Sequence, residues 1–275
     1  MSSELRIGLI GAGEWGKNYI ETLKRNKEVL LKKTACKNLK EKQYLVEEYE
    51  VTDNWHDLTL SPEIDGIIIA TPPKTHFEIA SEAIKNGKPV IIEKPLSLNL
   101  KDATSFLELS KKHKVIVKVN HVYLYHPLYR LLKKQVRNKT NLKSIYSLGG
   151  NYGPFRKDVS SLWDWGPHDL SMCLDILNEY PIKIKAEILK KDSIKGIEAA
   201  NIKIILDFKN KKYAEINIGN LMENKKRILR LNYENNFYVF DPINNTSIQE
   251  NTAFQSDPID KDKKNIELNL EKNPL

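Results

Sequence analysis

The sequence has few cysteines and no long hydrophobic segment. Its 275 residues include two cysteines, Cys36 and Cys173, and neither belongs to a CxxC pair. We therefore expect neither a metal site nor a disulfide framework, and a reducing compartment fits. No apolar run approaches the length of a membrane span, and MSSELRIGLI lacks the basic and apolar regions of a secretory signal. These absences predict a cytoplasmic protein with no membrane partner.

Arginine-rich blocks are also missing, although the chain is basic. Lysine and arginine number 44 against 36 aspartates and glutamates, which gives a formal net charge of +8. The lysines are scattered through Asn/Lys-rich stretches without regular aromatic residues between them, unlike the basic stripe of many nucleic-acid-binding proteins. The charge balance is more typical of a solvated basic surface, so we expect no nucleic-acid partner.

The first 120 residues alternate short apolar runs with amphipathic helical patterns. The apolar runs occupy residues 5–10, 29–36, 65–73, 88–95 and 115–120, and helical patterns separate them, including 39–49 and 101–114. This alternation predicts βαβ units around a parallel sheet that is buried on both faces. Thr75 with Glu78 predicts a capping box at one helix start, and Gly87 predicts the end of that helix.

After about residue 120 the pattern changes to successive strands. They are expected at residues 182–189, 198–208, 211–220, 227–233 and 236–241, with a helix at 128–138. The pattern predicts a mostly antiparallel sheet with one exposed face. We therefore expect an α/β protein of two domains, a Rossmann dinucleotide-binding domain over 1–120 and an α+β substrate and oligomerisation domain over 121–275.

A G-x-G-x-x-G pattern, formed by Gly11, Gly13 and Gly16, directly follows the first predicted strand and opens a helix. In a dinucleotide-binding turn, the first glycine allows the tight turn and the second lets the pyrophosphate approach the backbone. The third lets helix and strand pack closely. The helix N-terminus then supplies amide donors and positive dipole charge to the phosphates. The pattern predicts a dinucleotide site; the alternative is a glycine-rich turn without a ligand.

The end of the second predicted strand bears on the choice of dinucleotide. In NAD-binding versions an acidic residue there holds the ribose diol. Here Lys37 and Asn38 occupy the position, and no Asp or Glu occurs between Glu28 and Glu41. A carboxylate would repel a 2′-phosphate, whereas Lys37 could pair with one. We therefore expect NADP(H) to be favoured, with NAD(H) as the alternative.

The predicted strand at 88–95 ends in Glu93-Lys94-Pro95. Ligands bind outside the carboxyl ends of the strands in an open parallel sheet, so Lys94 is expected near the nicotinamide. The alternative is an exposed lysine at a strand end.

At this point the chain resembles a known family. GAGEWG and the run from ATPPKTH to KNGKPVIIEKPLSLN resemble the glucose–fructose oxidoreductase / inositol dehydrogenase family, Gfo/Idh/MocA. NHVYLYHPLY resembles its next segment, and SLGGNYGPFRKDVSSLWDWGPHDLSM its active-site segment. The resemblance implies an NAD(P)-dependent dehydrogenase or reductase for sugars, inositols or sugar nucleotides, with Lys94, Asp164 and His168 as its catalytic residues. WDWGPHD after R-x-DV is similar to a branch linked to nucleotide sugars and surface polysaccharides.

The segment WDWGPHDL suggests how the aspartate and the histidine work. Pro167 suits the first turn of a helix, which would place His168 at the positive helix end and Asp164 just outside. The helix end disfavours the imidazolium and the carboxylate favours it, so the imidazole is expected to titrate near neutrality. We expect His168 to take the proton of a sugar hydroxyl, Asp164 to orient it and Lys94 to stabilise the alkoxide. The alternative makes Asp164 a helix cap, His168 a surface histidine and the tryptophans core.

The expected contacts form two sets. Expected at the cofactor are Gly11, Gly13, Glu14, Trp15, Gly16, Lys37, Asn38, Thr71, Pro72, Pro73, His76, Glu93, Lys94 and Asn120. Expected at the substrate are Lys94, Tyr123, Arg156, Trp163, Asp164 and His168.

Two other functions remain open. A non-catalytic dinucleotide-binding regulator or sensor of the same fold is one, because the chain ends about where many members continue into a further helical segment. An imine or enone reductase is the other, and it would not need the Asp–His pair. We also expect a homodimer or homotetramer assembled through the exposed face of the C-terminal sheet, because the available helices cover only one face.

Overall fold

The computed structural model describes residues 4–37, 45–46, 48–244, 247–252 and 264–267. They form two compact units, of which the first ends at Asn120 and the second begins at His121.

The first unit is built on a six-stranded parallel sheet. Its strands are β1 (Leu5–Ile10), β2 (Val29–Ala35), β3 (Glu50–Thr52), β4 (Gly66–Ile69), β5 (Val90–Glu93) and β6 (Val117–Asn120), in the order β3-β2-β1-β4-β5-β6. Its helices are α1 (Glu14–Lys24), α2 (His56–Thr59), α3 (His76–Lys85) and α4 (Leu100–His113). Strands β1 to β3 are added toward one edge of the sheet and strands β4 to β6 toward the other, so the order changes direction between β1 and β4, as in doubly wound nucleotide-binding sheets. The predicted Rossmann-type sheet is confirmed.

The isoleucines of β4 show why apolar and polar residues do not alternate along these strands. Ile67 and Ile69 pack in one buried cluster with residues of α3, whereas Ile68 packs in a second cluster with Tyr19 and Ile20 of α1. Because successive side chains point to opposite faces and both faces are covered, each position requires an apolar residue.

The ends of α3 match the sequence expectations only in part. Gly87 has a positive φ of 73°, which suits the residue just past a helix, so the predicted helix end is confirmed. The predicted capping box is wrong. The Thr75 hydroxyl instead lies at hydrogen-bonding distance from Thr71 Oγ1, 2.7 Å, and from the Pro72 carbonyl oxygen, 2.8 Å, because a short 3₁₀ turn over Pro73–Thr75 precedes the helix. The predicted helix at 39–49 lies mostly outside the described residues.

The second unit contains an eight-stranded sheet. Its strands are β7 (Ser144–Tyr152), β8 (Lys183–Ile194), β9 (Ile197–Asp207), β10 (Tyr213–Gly219), β11 (Leu221–Asn232), β12 (Asn236–Phe240), β13 (Ser247–Thr252) and β14 (Lys264–Glu267), in the order β14-β13-β12-β11-β7-β10-β9-β8. Only β7 and β10 pair in parallel among these described strands, so the prediction of a mostly antiparallel sheet is confirmed. The sequence did not predict the central strand β7, in which Gly149-Gly150 breaks the strand pattern.

Two helices, α5 (Pro127–Val136) and α6 (Ser161–Leu177), pack with this sheet. Alternate residues of its strands, such as Ile216, Ile218 and Leu229, are buried with Leu132 and Met172 of the two helices. No helix in the described residues is long and apolar enough to cross a membrane.

Helix α6 begins at Ser161 rather than at Pro167, so the predicted start was wrong by about one and a half turns. Proline is unusual inside a helix because it lacks the N–H that would bond the carbonyl four residues earlier. The sequence rule that places proline in the first turn therefore chose the wrong boundary. His168 is the eighth residue of the helix, and the proposed influence of the positive helix end on its charge does not apply.

Candidate active site

The glycine turn of the first unit has the shape that the pattern predicts. Gly11 has a φ of 98°, and a Cβ built on it would lie 2.7 Å from the Ala70 carbonyl oxygen. A Cβ on Gly16 would collide with the Gly11 carbonyl oxygen. A Cβ on Gly13 would meet no described heavy atom within 4 Å, so the backbone that precedes α1 is open to a ligand. This turn can accept a pyrophosphate close to its amides.

The residues expected around the rest of a dinucleotide differ in exposure. Glu14 and Trp15 are exposed on the first turn of α1, and Lys37 is exposed just after β2. Asn38 lies outside the described residues. After β4, Thr71 is partly exposed and Pro72 exposed, whereas Pro73 is buried.

His76 is fully buried, and its imidazole lies between two backbone carbonyls. Nδ1 is 3.0 Å from the Pro95 oxygen, and Nε2 is 2.8 Å from the Thr71 oxygen. Burial lowers the pKa of His76, although the two carbonyls oppose this shift. The ring therefore connects the chain after β4 to the chain after β5, and its contacts are with the protein.

Glu93, at the carboxyl end of β5, is buried in a polar network. The Tyr19 hydroxyl donates to Glu93 Oε1 at 2.7 Å, and Asn120 Nδ2 donates to the same oxygen at 2.8 Å and to the Tyr19 hydroxyl at 2.6 Å. Burial, followed by the charge of Glu93, raises the pKa of Tyr19 and keeps the phenol protonated. The network fixes the end of β5, where Lys94 follows as a half-buried residue joined to Pro95 by a cis peptide bond.

In the second unit, Asp164 and His168 lie on one helix. Because α6 already runs through both positions, their i, i+4 spacing puts the two side chains on the same helix face. Arg156 Nη1 donates to Asp164 Oδ1 at 3.3 Å, and the same guanidinium binds Asp158 at 2.6 Å. His168 is buried, and its ring meets that of Tyr123 edge-on, with 5.1 Å between centroids. The structure thus brings together four of the residues expected at the substrate.

The two tryptophans of the segment have different surroundings. Trp163 is 40% exposed, whereas Trp165 is partly buried against the core of the second unit. Only Trp163 presents a free face on this unit, which suits contact with a sugar ring.

Sequence reasoning missed a buried ion pair next to His168. Asp169 and Arg227 are 0% and 2% exposed, and Arg227 Nη1 donates to Asp169 Oδ2 at 2.5 Å. The Ser147 hydroxyl donates to the other carboxylate oxygen at 2.6 Å. Burial opposes the charge of Arg227, but Asp169 and Tyr123 outweigh it and raise its pKa. The guanidinium carbon lies 4.5 Å from the centroid of the Tyr123 ring, which in turn contacts His168.

Two signals for the missed residue Arg227 are present in the sequence. Arg227 alternates along its strand with Leu229 and Leu231, which are both buried, so its side chain lies on the same face and points into the core. A Cβ on Gly149 would lie 2.5 Å from Arg227 Nη1, so glycine in this strand marks the close approach of another group. Tyr19 had no comparable signal, because its partners are far away in the sequence.

Comparison with known proteins supports the class that this fold and these residues define. The family model described as "Oxidoreductase family, NAD-binding Rossmann fold" (GFO_IDH_MocA) matches residues 5–121. A crystal structure of a candidate oxidoreductase from Magnetospirillum magnetotacticum MS-1 is 32% identical, with a TM-score of 0.89 over 99% of this chain and 88% of that one. The chain belongs to the Gfo/Idh/MocA oxidoreductase family.

Two characterised relatives are similar over part of their length. Myo-inositol 2-dehydrogenase of Thermotoga maritima is 31% identical over 142 residues, which are 50% of this chain and 42% of that protein. UDP-N-acetylglucosamine 3-dehydrogenase of Acidithiobacillus ferrooxidans is 22% identical over 187 residues, which are 68% of this chain and 58% of that protein. The chain thus spans about half the length of these curated relatives.

Proposed function

We propose that this chain is an NAD(P)-dependent dehydrogenase that moves a hydride between nicotinamide and a hydroxyl-bearing carbon of a sugar, an inositol or a nucleotide sugar. The observation that carries the proposal is the fixed end of β5, where the buried Glu93–Tyr19–Asn120 network holds the strand that presents Lys94. The glycine turn after β1 opens at the same carboxyl edge of this parallel sheet. Ligands of doubly wound sheets bind at this edge.

A bound nicotinamide would accept the hydride in oxidation and deliver it in reduction. Lys94 places an ammonium donor where the substrate oxygen gains negative charge, which lowers the barrier if the donor is already in position. Glu93 contributes by fixing the strand end, since its Oε1 is occupied by Tyr19 and Asn120. Lys94 is thus the proposed catalytic residue, and Glu93 a positioning residue.

His168 is the proposed acid–base group. In oxidation, the substrate O–H bond breaks toward an imidazole nitrogen as the hydride leaves carbon, and the products are a ketone and an imidazolium. Asp164 lies one helix turn away, where a carboxylate stabilises that imidazolium, and Arg156 holds the carboxylate. Reduction follows the same path in reverse.

The names of the relatives favour polyol-type substrates over imines or enones. The UDP-N-acetylglucosamine 3-dehydrogenase matches a larger share of this chain, 68%, than the inositol dehydrogenase, 50%. We therefore place nucleotide sugars first. Change in reduced-nicotinamide absorbance across a panel of nucleotide sugars and inositols tests the proposal. Dinucleotide binding without turnover of any panel member would instead indicate a non-catalytic sensor.

Replacing His168 with asparagine should change the pH dependence of oxidation. A general base must be unprotonated, so the wild-type kcat/KM is expected to fall as the pH drops through its titration. Asparagine cannot accept this proton, so the variant should be slower by about 10²–10⁴-fold and should lose this acidic limb. If the limb persists at reduced height, another group carries the proton.

The dinucleotide preference is a separate proposal. Lys37 is exposed after β2, where it can reach a 2′-phosphate. Two further lysines that could assist it, Lys40 and Lys42, lie outside the described residues. We expect NADP(H) to bind at least tenfold more tightly than NAD(H), which needs about 1.4 kcal/mol, and one charge-assisted contact supplies roughly 1.5–3 kcal/mol. Lys37→Asp should weaken NADP(H) binding and leave NAD(H) binding unchanged or stronger, as measured by fluorescence titration. Equal dissociation constants in the wild type would contradict this.

We also propose a homodimer or homotetramer formed through the sheet of the second unit. On β10 the aliphatic residues Ala214, Ile216 and Ile218 are buried, so they do not supply an outer apolar face, and the exposed aromatic residue of the strand is Tyr213. Exposed apolar residues lie instead on the edge strand β8, where Ile184 and Ile188 are 63% and 61% exposed. They pair with Leu206 and Ile202, so they lie on the same face of the sheet as the core. Light scattering at micromolar concentration should give a multiple of 31.8 kDa, and Ile184→Lys with Ile188→Lys should reduce it. A wild-type monomer would refute assembly.

A further inference from the structure

The second unit contains a cavity of about 1150 Å³ that the proposed reaction does not use. It lies at the carboxyl ends of α5 and α6 and is closed by the segment from Lys139 to Lys143 and by Asn210. None of the expected catalytic or substrate residues lines it. On α6, His168 precedes Asn178 at the cavity wall by ten residues, about 15 Å along the helix. The cavity is therefore a separate feature of this unit.

The lining of the cavity is strongly cationic. Seven lysine and arginine side chains and one carboxylate, Asp175, contribute to it. Asp175 pairs with Lys133 at 2.6 Å, and Lys212 pairs with Glu179. The remaining cations are Arg130, Lys134, Arg137, Lys139 and Lys143. Apart from Lys139, which lies over the Tyr238 ring, none of them has a charged or aromatic partner among the described residues.

Helix stability explains only part of this charge. Cations stabilise a helix in its last turn, which accounts for Lys133 and Lys134 on α5. Arg130 lies near the opposite end of the same helix, where a cation is unfavourable and where the first turn has no acidic residue. Lys139 and Lys143 follow the helix, in the connection to β7. The common property of these residues is that they line one concave surface.

The spacing on α5 concentrates the charge further. Arg130, Lys133, Lys134 and Arg137 follow one another at i, i+3, i+4 and i+7, so they share one helix face. They are all exposed, and they extend over about 10 Å. A concave surface lined by one sign of charge concentrates counter-ions of the opposite sign.

We propose that this cavity binds an oligophosphate, an anion with two or more linked phosphates. Arginine forks match the oxygen geometry of phosphate, and several cations call for a ligand with several charges. Linked phosphates supply these charges within the length of the cationic face of α5. A single monovalent anion would leave most of the cavity and most of its cations without a partner. The phosphates could belong to a nucleotide or to a free oligophosphate.

Nucleic acid is the less favoured occupant. Binding to nucleic acid uses an extended basic track, commonly with aromatic side chains for the bases. Here the unpaired cations converge on one cavity at a pair of helix ends.

The test is calorimetric titration of the full chain with sodium tripolyphosphate at about 50 mM salt, with saturating NADPH present to occupy the glycine turn. We expect binding that weakens steadily as salt is raised. Lys134→Glu with Lys143→Glu should lower the affinity at least tenfold. The matched control, Lys101→Glu with Lys112→Glu on the exposed surface of α4, makes the same charge change away from the cavity and should stay within twofold.

Two comparisons separate the sources of the phosphates. Equal affinity for ATP and tripolyphosphate would show that the phosphates suffice, whereas tighter binding of ATP, lost in the cavity variant, would show a nucleotide site. The proposal is overturned if tripolyphosphate does not bind at millimolar concentration. It is also overturned if both double variants bind alike, or if only single-stranded DNA binds. The result does not depend on catalysis, because no step of the titration requires turnover.

Discussion

Lys94→Ala is expected to abolish turnover while dinucleotide affinity stays within about tenfold. The ammonium group is proposed to stabilise charge on the substrate oxygen, and loss of such a preorganised donor costs about 3 kcal/mol or more in the barrier. This corresponds to a rate more than about a hundredfold lower. The dinucleotide phosphates are expected at the glycine turn after β1, so removing the lysine after β5 should leave their contacts in place. The measurements are kcat on the best compound of the panel and the dissociation constant of the reduced dinucleotide.

Lys74→Ala is the matched control for this prediction. Lys74 is an exposed lysine in the turn after β4, the strand next to β5, and it loses the same charge. It should retain kcat within about twofold, since an exposed cation contributes little. Near-normal kcat in Lys94→Ala would show that Lys94 is not part of the mechanism. Equal losses of kcat in both variants would show that any positive charge in this region has the same effect, rather than a specific contact of Lys94.

Asp169→Ala is expected to destabilise the second unit by about 3–5 kcal/mol, because it leaves the Arg227 guanidinium buried without its counter-ion. The Ser147 hydroxyl also loses its acceptor. Chemical denaturation, followed by tryptophan fluorescence, to which Trp163 and Trp165 contribute from this unit, measures the change. The variant should also show lower kcat, since Arg227 packs on Tyr123, the ring that contacts His168.

Two controls define the origin of this effect. Glu198→Ala removes an exposed partner of Lys191 and should leave stability close to that of the wild type. Asp169→Leu combined with Arg227→Met removes both charges, and its loss should be smaller than that of Asp169→Ala. A double variant as unstable as Asp169→Ala would show that shape, rather than the unpaired charge, sets the cost.

Part of the site could be predicted because its causes are local. The glycines at 11, 13 and 16 are needed where the adjoining strand, helix or ligand leaves no room for a side chain, and the structure shows this lack of room at Gly11 and Gly16. The parallel sheet was predictable for a similar reason, since burial on both faces leaves continuous apolar runs such as 66–69. Lys94 could be placed at a strand end from the same pattern.

The start of α6 shows where local rules fail. Pro167 is usually a sign of the first helical turn, yet the helix runs through it from Ser161. Packing of α6 on the sheet, with Met172 and Cys173 in the core, stabilises a helix that contains a proline. Only the structure, therefore, puts Asp164 and His168 on a single helix face.

The sequence by itself determined the parallel sheet, its glycine turn and the lysine at a strand end, because each follows from residues that are neighbours along the chain. Tertiary structure alone decided which polar groups meet. Asn120 and Tyr19 are 101 positions apart, and Arg227 and Asp169 are 58 apart. Periodicity places a side chain on a face of its own element. The partner across the core depends on how distant elements pack, which a pattern along one chain does not encode.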